Sequence, residues 1–175
     1  MSLQDDLVAS FSWVDGHANI WPWLADADLF ASIVEGLARP FSEDRITKVV
    51  GIEARAFLLA GAVARQLSVG VVPVRKRGAL FPGRHLSMTT APDHRGRTIE
   101  LLLQSGALSR SDRVLIVDDW LEIGSQANAA VGLVRQAGAH VVGVGVIVDD
   151  SDPTLDLQLP KLHSIIRVEL LGPSG

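Results

Sequence analysis

Apolar residues recur along the chain at two spacings, and the two spacings alternate. A helical period of about 3.6 residues runs over 26–38, 53–67 and 125–137. Between these helices lie short apolar runs typical of buried strands, at 46–52, 69–74, 113–117 and 141–148. Strands without a polar face that alternate with helices indicate a parallel sheet covered on both faces. The pattern therefore predicts an α/β fold.

The two ends of the chain depart from this alternation. Residues 1–25 hold three of the four tryptophans, and residues 152–175 include a strand-like run over 164–170. We expect both flanks to form a small cap over the C-terminal edge of the sheet, where open α/β folds bind ligands. The prediction is one domain over 1–175 with a core over about 40–150.

Composition excludes several classes of function. The chain has no cysteine, which excludes disulfides, thiolate metal sites and cysteine nucleophiles. A net charge of −4 argues against nucleic-acid binding, which normally requires a basic face. No signal peptide or membrane-spanning run is recognised, so we expect a cytoplasmic protein. The histidines lack metal-ligand spacing and are expected to be structural or surface groups: His17, His85, His94, His140 and His163.

The segment 114–126, VLIVDDWLEIGSQ, joins a buried strand to a turn and a helix. Asp118 and Asp119 follow four apolar residues, and such acids need hydroxyl donors or a cation when buried. Ribose hydroxyls supply donors, and Mg²⁺ reduces the repulsion. The turn through Gly124 leaves backbone N–H groups at a helix N-terminus, which suits a phosphate. The segment therefore predicts a site for a ribose 5-phosphate.

This segment resembles the phosphoribosyl pyrophosphate (PRPP) motif of the type I phosphoribosyltransferases, whose fold is a Rossmann-like parallel-sheet core. The resemblance implies that Asp118 and Asp119 bind the ribose hydroxyls. It also implies that the 5-phosphate is held by a loop of Glu122, Ile123, Gly124, Ser125 and Gln126. Glu122 stands where purine-salvage relatives carry an acid proposed to handle the proton on N7 of the base, which makes it a candidate catalytic group.

Two further stretches, GIEARAF at 51–57 and VGVVPVRKRG at 69–78, resemble the adenine phosphoribosyltransferase branch. In that branch the first stretch is a pyrophosphate loop, often with a strained peptide, and the basic run of the second contacts pyrophosphate. The resemblance implies a pyrophosphate pocket lined by Glu53, Ala54 and Arg55, with Arg75 and Lys76 neutralising the leaving group. Taken alone, the basic run would be a solvated group of charges.

The Gly- and Pro-containing segment 79–97 corresponds to the family's loop that closes over the site. A closing loop would exclude water, which otherwise hydrolyses PRPP. The aromatic residues that we consider for the base pocket are Trp13, Trp21, Trp23 and Phe81. The pair Asp149–Asp150 is expected to end a strand without chemistry.

The resemblance implies an enzyme that transfers the 5-phosphoribosyl group of PRPP to a purine-type base, adenine first, with release of pyrophosphate. It further implies a homodimer and a need for Mg²⁺, bound mainly through PRPP, with Asp118 and Asp119 as further candidate ligands. Two alternatives remain open. One is a PRPP-binding regulatory protein with little catalysis, and the other is a phosphoribosyltransferase for a non-purine acceptor.

The chain has Ile123 and Gln126 where the family motif has threonines. A hydrogen bond from a hydroxyl to a charged phosphate contributes roughly 1.5–3 kcal/mol, so we expect weaker PRPP binding than in a typical relative. The substitution Ile123→Thr should restore one donor and tighten PRPP binding. Calorimetric titration of PRPP into both proteins measures this, and equal affinities would contradict the prediction.

Overall fold

The computed structural model of the chain describes residues 2–93, 95–152, 154 and 159–173. Five α-helices are present in this part of the chain: α1 Leu3–Ser10, α2 Trp21–Ala25, α3 Ala27–Ala38, α4 Ala56–Gln66 and α5 Ser125–Gln136. Nine strands accompany them: β1 Ser12–Val14, β2 His17–Asn19, β3 Lys48–Ile52, β4 Gly70–Lys76, β5 His85–Thr89, β6 Glu100–Gln104, β7 Arg113–Leu121, β8 His140–Asp149 and β9 Leu162–Arg167. Short 3₁₀ turns follow α3 and β9, at Arg39–Phe41 and Val168–Leu171.

Seven strands form the central sheet in the order β5-β6-β4-β3-β7-β8-β9, and β1 pairs with β2 as a separate antiparallel hairpin. The five neighbouring strands β4, β3, β7, β8 and β9 are parallel, whereas β6 runs antiparallel to β4 and to β5. From β3 the chain proceeds outwards to β4, and from β7 it proceeds in the other direction to β8 and β9. The strand order therefore reverses between β3 and β7, and ligands of open α/β sheets bind at such a point.

Both faces of the sheet are buried, as the apolar strands predict. On one face Val50, Val114 and Ile116 pack in a cluster with α5. On the other face Val49 and Leu115 pack in a second cluster with α1, α3 and α4. Alternate residues of one strand thus enter opposite cores, and the α/β prediction with helices on both faces is confirmed.

The helix predicted over 26–38 shows how local sequence sets an element. Asp26 accepts a hydrogen bond from Leu29 N–H at 2.8 Å and caps the N-terminus of α3. The buried stripe of α3 repeats at helical spacing and consists of Ile33, Val34, Leu37 and Ala38. The cap and the stripe together account for both the start and the orientation of this helix.

The prediction of a loop over 79–97 is wrong in part, because this segment contains strand β5. Leu86 and Met88 of β5 pack against the core, while the alternate residues His85, Ser87 and Thr89 are exposed. They pair with β6, whose Leu101–Leu103 run is buried. β6 in turn pairs antiparallel with β4. This pairing joins segments that are distant in sequence, and no local pattern predicts it.

Three predicted boundaries also move. The helix predicted over 53–67 begins only at Ala56, since residues 53–55 form the turn after β3. The strand predicted over 113–117 continues to Leu121, so the acid pair lies inside a strand. In the C-terminal flank, the run predicted over 164–170 is β9, which joins the sheet edge beside β8 instead of forming a cap.

Some predicted segments extend beyond the described residues. In the flank predicted over 152–175, residues 153, 155–158, 174 and 175 lie outside the described residues. In the loop predicted over 79–97, His94 lies outside them. Among the described residues, the longest helices have 12 residues, and none is long and apolar enough to cross a membrane.

The N-terminal flank packs on the end of β7 through an aromatic cluster. Trp23 is fully buried and donates from Nε1 to Leu7 O at 3.1 Å. Phe11 contacts the rings of Trp13, Trp23 and Trp120 with centroids 5.1–6.4 Å apart. This cluster fixes the β1–β2 hairpin against the C-terminal end of the sheet.

Gly51 allows α4 to approach the end of β3. A Cβ atom at this position would lie 2.7 Å from Ala60 Cβ and 2.9 Å from Ala56 O. Both contacts are shorter than real carbon atoms tolerate, and neither partner can rotate away. The small residue is therefore required where β3 turns into the segment 53–55.

We expect Gly51→Ala to lower the free energy of unfolding by about 1–3 kcal/mol, the usual cost of overpacking a core. Gly61→Ala on α4 is the matched control, because nothing lies within 4 Å of its added Cβ and alanine favours a helix by about 0.5–1 kcal/mol. Urea unfolding of both variants measures the difference. Equal stability of the two variants would contradict the packing argument.

Candidate active site

A cavity of about 640 Å³ opens at the point where the strand order reverses. Its walls come from the turn after β3, the end of β4, the end of β7 with the turn into α5, and the β1–β2 hairpin. Carboxyl ends of parallel strands meet at one edge of the sheet, which explains why segments far apart in sequence share this cavity.

The acid pair lies on the floor of the cavity. Asp118 and Asp119 are consecutive residues of β7, so their side chains leave the strand on opposite sides. Asp119 N–H donates to Asp118 Oδ1 at 2.9 Å, and only 6% of Asp119 is exposed. Burial, the neighbouring charge of Asp119 and a side-chain hydrogen bond with it raise the pKa of Asp118 well above its ordinary value. The two acids therefore form a site that favours a cation or hydroxyl donors.

Arg55 is the cation closest to this pair. Its Nη2 lies 2.7 Å from Asp119 Oδ2, but that buried oxygen has no hydrogen-bond donor among the described residues. The contact is thus a close ion pair, in which the Arg55 guanidinium compensates for the buried charge of Asp119.

The turn after β3 brings Glu53, Ala54 and Arg55 to the cavity wall, and the Glu53–Ala54 peptide bond is cis. Glu53 accepts Lys76 N–H at 2.8 Å and Arg75 Nε at 3.4 Å. Partial burial opposes its ionisation, yet these donors outweigh that effect and lower the pKa of Glu53. Its carboxylate thus connects the turn to β4.

The structure separates the two basic residues predicted for the leaving group. Lys76 lies on the cavity wall, whereas Arg75 is not among the wall residues. Arg75 contacts Glu53 and donates from Nη1 to Leu80 O at 2.7 Å. Of the two, Lys76 is placed to meet a ligand, and Arg75 supports the turn and the loop after β4.

All five residues of the predicted phosphate loop line the cavity: Glu122, Ile123, Gly124, Ser125 and Gln126. Gly124 has φ +71° and precedes α5, which begins at Ser125. Because the first N–H groups of a helix have no carbonyl partner within it, this turn presents free donors and the positive end of the helix dipole. Backbone donors thus remain where the two threonine hydroxyls are missing.

Of the four aromatic residues considered for the base pocket, the structure places only Trp13 on the cavity wall. Trp23 is in the core and Trp21 is 55% exposed, and neither these two nor Phe81 belongs to the wall.

The cavity also contains residues that the sequence analysis did not select. His17, expected to be structural or at the surface, lies on the wall through the β1–β2 hairpin. The turn Asp15–Gly16 between these strands has positive φ at both residues, and an Asp-Gly pair between short β-like runs is a hairpin signal that could have revealed it. The loop after β5 adds Thr90, Asp93 and Arg97, and the end of β8 adds Asp150.

No group of three or more histidine or acidic side chains in the described part of the chain is arranged to hold a metal ion by itself. The acids nearest to such a role are Asp118 and Asp119. Two adjacent carboxylates, of which Asp118 has a raised pKa, fit a cation brought into the cavity by a ligand.

Comparison with known proteins agrees with this geometry. A family model described as phosphoribosyl transferase domain matches residues 23–165. An adenine phosphoribosyltransferase of Maricaulis maris is 42% identical over 149 residues, which cover 85% of this chain and 78% of that protein.

Two solved structures share the fold over nearly the whole chain. Adenine phosphoribosyltransferase from Rhodothermus marinus superposes with a TM-score of 0.83 at 31% identity, covering 94% of this chain and 98% of that one. The enzyme from Giardia lamblia, complexed with 9-deazaadenine, has a TM-score of 0.85 at 27% identity and covers 95% of this chain and 98% of that one.

The raised pKa of Asp118 has a consequence for stability. The folded state holds this proton more tightly than the unfolded state, so stability falls as the pH rises through the raised pKa. Asp118→Asn removes the cost of ionisation and should raise the melting temperature by a few degrees at pH 7.5, while PRPP binding weakens. Thermal melts between pH 4 and 8, with a PRPP titration, measure both.

Asp119→Asn is the control for that experiment. It relieves the repulsion of Asp118 but also removes the partner of Arg55, so it should weaken PRPP binding and raise the melting temperature less than Asp118→Asn does. If both variants were stabilised equally, the difference that the structure assigns to the two acids would be refuted.

Proposed function

Because the chain belongs to the phosphoribosyl transferase family, we propose that it transfers the 5-phosphoribosyl group of PRPP to adenine and releases pyrophosphate. The observation that carries the proposal is an acid pair, a helix N-terminus and Lys76 that all line one cavity. Relatives named adenine phosphoribosyltransferase, and the 9-deazaadenine bound to the Giardia lamblia enzyme, support adenine as the acceptor.

In this proposal each wall of the cavity binds one part of PRPP. Asp118 and Asp119, which both line the cavity, accept hydrogen bonds from the ribose hydroxyls. The N–H groups of residues 123–126 bind the 5-phosphate. Arg55 and Lys76, with the turn at Ala54, face the pyrophosphate. The ribose is thereby held with its C1 atom towards the open part of the cavity.

The reaction breaks the bond between C1 and the pyrophosphate oxygen and forms a bond from C1 to a ring nitrogen of the base. Positive charge develops on the ribose and negative charge on the leaving group, so groups aimed at these charges lower the barrier. Asp118 and Asp119 lie on the ribose side and Lys76 on the leaving-group side. Glu122, on the same wall, is the proposed acceptor of the proton that the base loses.

Mg²⁺ belongs to the proposal as an ion bound mainly by the oxygens of PRPP, with Asp118 and Asp119 as the protein groups nearest to it. When bound, it draws negative charge from the leaving pyrophosphate. Homodimeric assembly and a cytoplasmic location also belong to the proposal, and the resemblance to the family supports them.

One observation favours a second candidate function. Ile123 lies in the phosphate turn, where an apolar side chain adds no donor, and weak PRPP binding would suit a PRPP-responsive regulatory protein. A third candidate is a phosphoribosyltransferase for a non-purine acceptor. It differs from the adenine enzyme and from the regulatory protein because it would release pyrophosphate only with a non-purine base.

Pyrophosphate release with PRPP, Mg²⁺ and a panel of bases tests the proposal. We expect release with adenine, loss of release when EDTA removes Mg²⁺, and a large fall in kcat/KM in Lys76→Met, which loses a cation at the leaving group. PRPP binding without release for any base would contradict the proposed transfer and favour the regulatory protein. Release only with a non-purine base would contradict adenine as acceptor.

A further inference from the structure

The carboxylate of Asp150 lies on the cavity wall at a place that the proposed binding of PRPP leaves unexplained. Asp150 follows the last residue of β8 and lines the main cavity. It also lines a neighbouring cavity of about 350 Å³ that shares Trp13 with the main one. This carboxylate is therefore next to the N-terminal hairpin.

Two hydrogen bonds hold Asp150 in place. Its backbone N–H donates to Leu121 O at 2.7 Å, and its Oδ2 accepts Trp120 Nε1–H at 3.0 Å. The Trp120 ring is in turn fixed by an edge contact with Trp13, with centroids 5.9 Å apart. One carboxylate oxygen is thus oriented by an indole, while Oδ1 has no hydrogen-bond donor among the described residues.

The residues on either side of Asp150 are held by a single guanidinium. Arg167 of β9 contacts Asp149 Oδ2 at 2.8 Å and donates to Ser151 O at 3.0 Å. Asp149 and Ser151 are both buried. The backbone at Asp150 is consequently rigid, and a rigid acceptor discriminates between ligands better than a mobile one.

The charge of Asp150 indicates which part of the substrates it meets. Within the described ranges no lysine, arginine or histidine lies at ion-pair distance from its carboxylate, whereas the cavity-wall residues Arg55 and Arg97 have acidic partners. A carboxylate without a cation repels phosphate and pyrophosphate. Its partner must therefore be a hydrogen-bond donor. The base is the part of the substrates that is rich in N–H groups, and its flat ring suits the rings of Trp13 and Trp120.

We propose that Asp150 determines base specificity by accepting a hydrogen bond from the exocyclic amino group of a 6-aminopurine. This inference rests on the proposed transfer from PRPP to adenine. A 6-oxopurine places a carbonyl oxygen at the same position, and the two acceptors repel. A site with a fixed acceptor can reject such an analogue strongly, because the acceptor is left without its partner.

The test compares adenine with hypoxanthine in wild type and Asp150→Asn. The amide is nearly isosteric, still accepts Trp120 Nε1–H through its oxygen and can present N–H donors to a 6-oxo group. We expect the ratio of kcat/KM for adenine over hypoxanthine to fall by about tenfold to a hundredfold, the effect of one charged hydrogen bond. The KM for PRPP should stay unchanged, since the proposed contacts with PRPP are made by other residues of the cavity.

Glu169→Gln is the matched control. Glu169 also contacts Arg167 and lines the neighbouring cavity but not the main one, so its loss should leave the ratio unchanged. If Asp150→Asn lowers kcat/KM for both bases equally, or leaves the ratio as in wild type, the assignment of Asp150 is wrong while the proposed transfer stands.

Base binding in the presence of PRPP, followed by quenching of tryptophan fluorescence, separates the inference from the proposed function. Weaker adenine binding in Asp150→Asn, in a protein that releases no pyrophosphate, would refute the transfer and support Asp150 as the recognition group. A wild type that binds hypoxanthine as tightly as adenine would overturn the inference, whichever base is turned over.

Discussion

The pair of acids in strand β7 is the constraint around which the site is arranged. A carboxylate inside a sheet is costly unless a cation or donor compensates for it, and here two of them are adjacent in β7. Asp119 is neutralised by Arg55 from the neighbouring turn, whereas Asp118 is left with a raised pKa. The repulsion within this pair favours a ligand that brings hydroxyls and a cation.

The sheet topology brings the remaining groups to these acids. β3 and β7 are neighbours at the point where the strand order reverses, so the turn with Arg55 and the turn into α5 open at the same edge. Glu53 connects its turn to β4 through Lys76 N–H and Arg75. The N-terminal hairpin closes the opposite side through Trp13 and its contact with Trp120. Rigid strands thus position groups that loops alone would hold loosely.

Local pattern predicted the helices and the parallel strands because each carries its own signal. The spacing of apolar residues and the cap at Asp26 define α3 without reference to other segments. β6 escaped prediction because it joins the sheet by pairing with β4, a distant segment, and β5 pairs in turn with β6 at the sheet edge. The hairpin at Asp15–Gly16 escaped because its strands have only three residues each. The role of Arg75 could not be read from a basic run, since only its contacts with Glu53 and Leu80 separate it from Lys76.

The sequence by itself determined the α/β class, the family resemblance and the segments that line the candidate site, because buried strands, a glycine turn and adjacent acids are local features. Only the tertiary structure decided which of these residues face the same cavity. Trp13 lines that cavity while Trp23 is in the core, and Asp150, expected to end a strand without chemistry, lies on its wall. The reason is physical: exposure to a shared cavity depends on packing between distant elements, and no spacing along the chain encodes that packing directly.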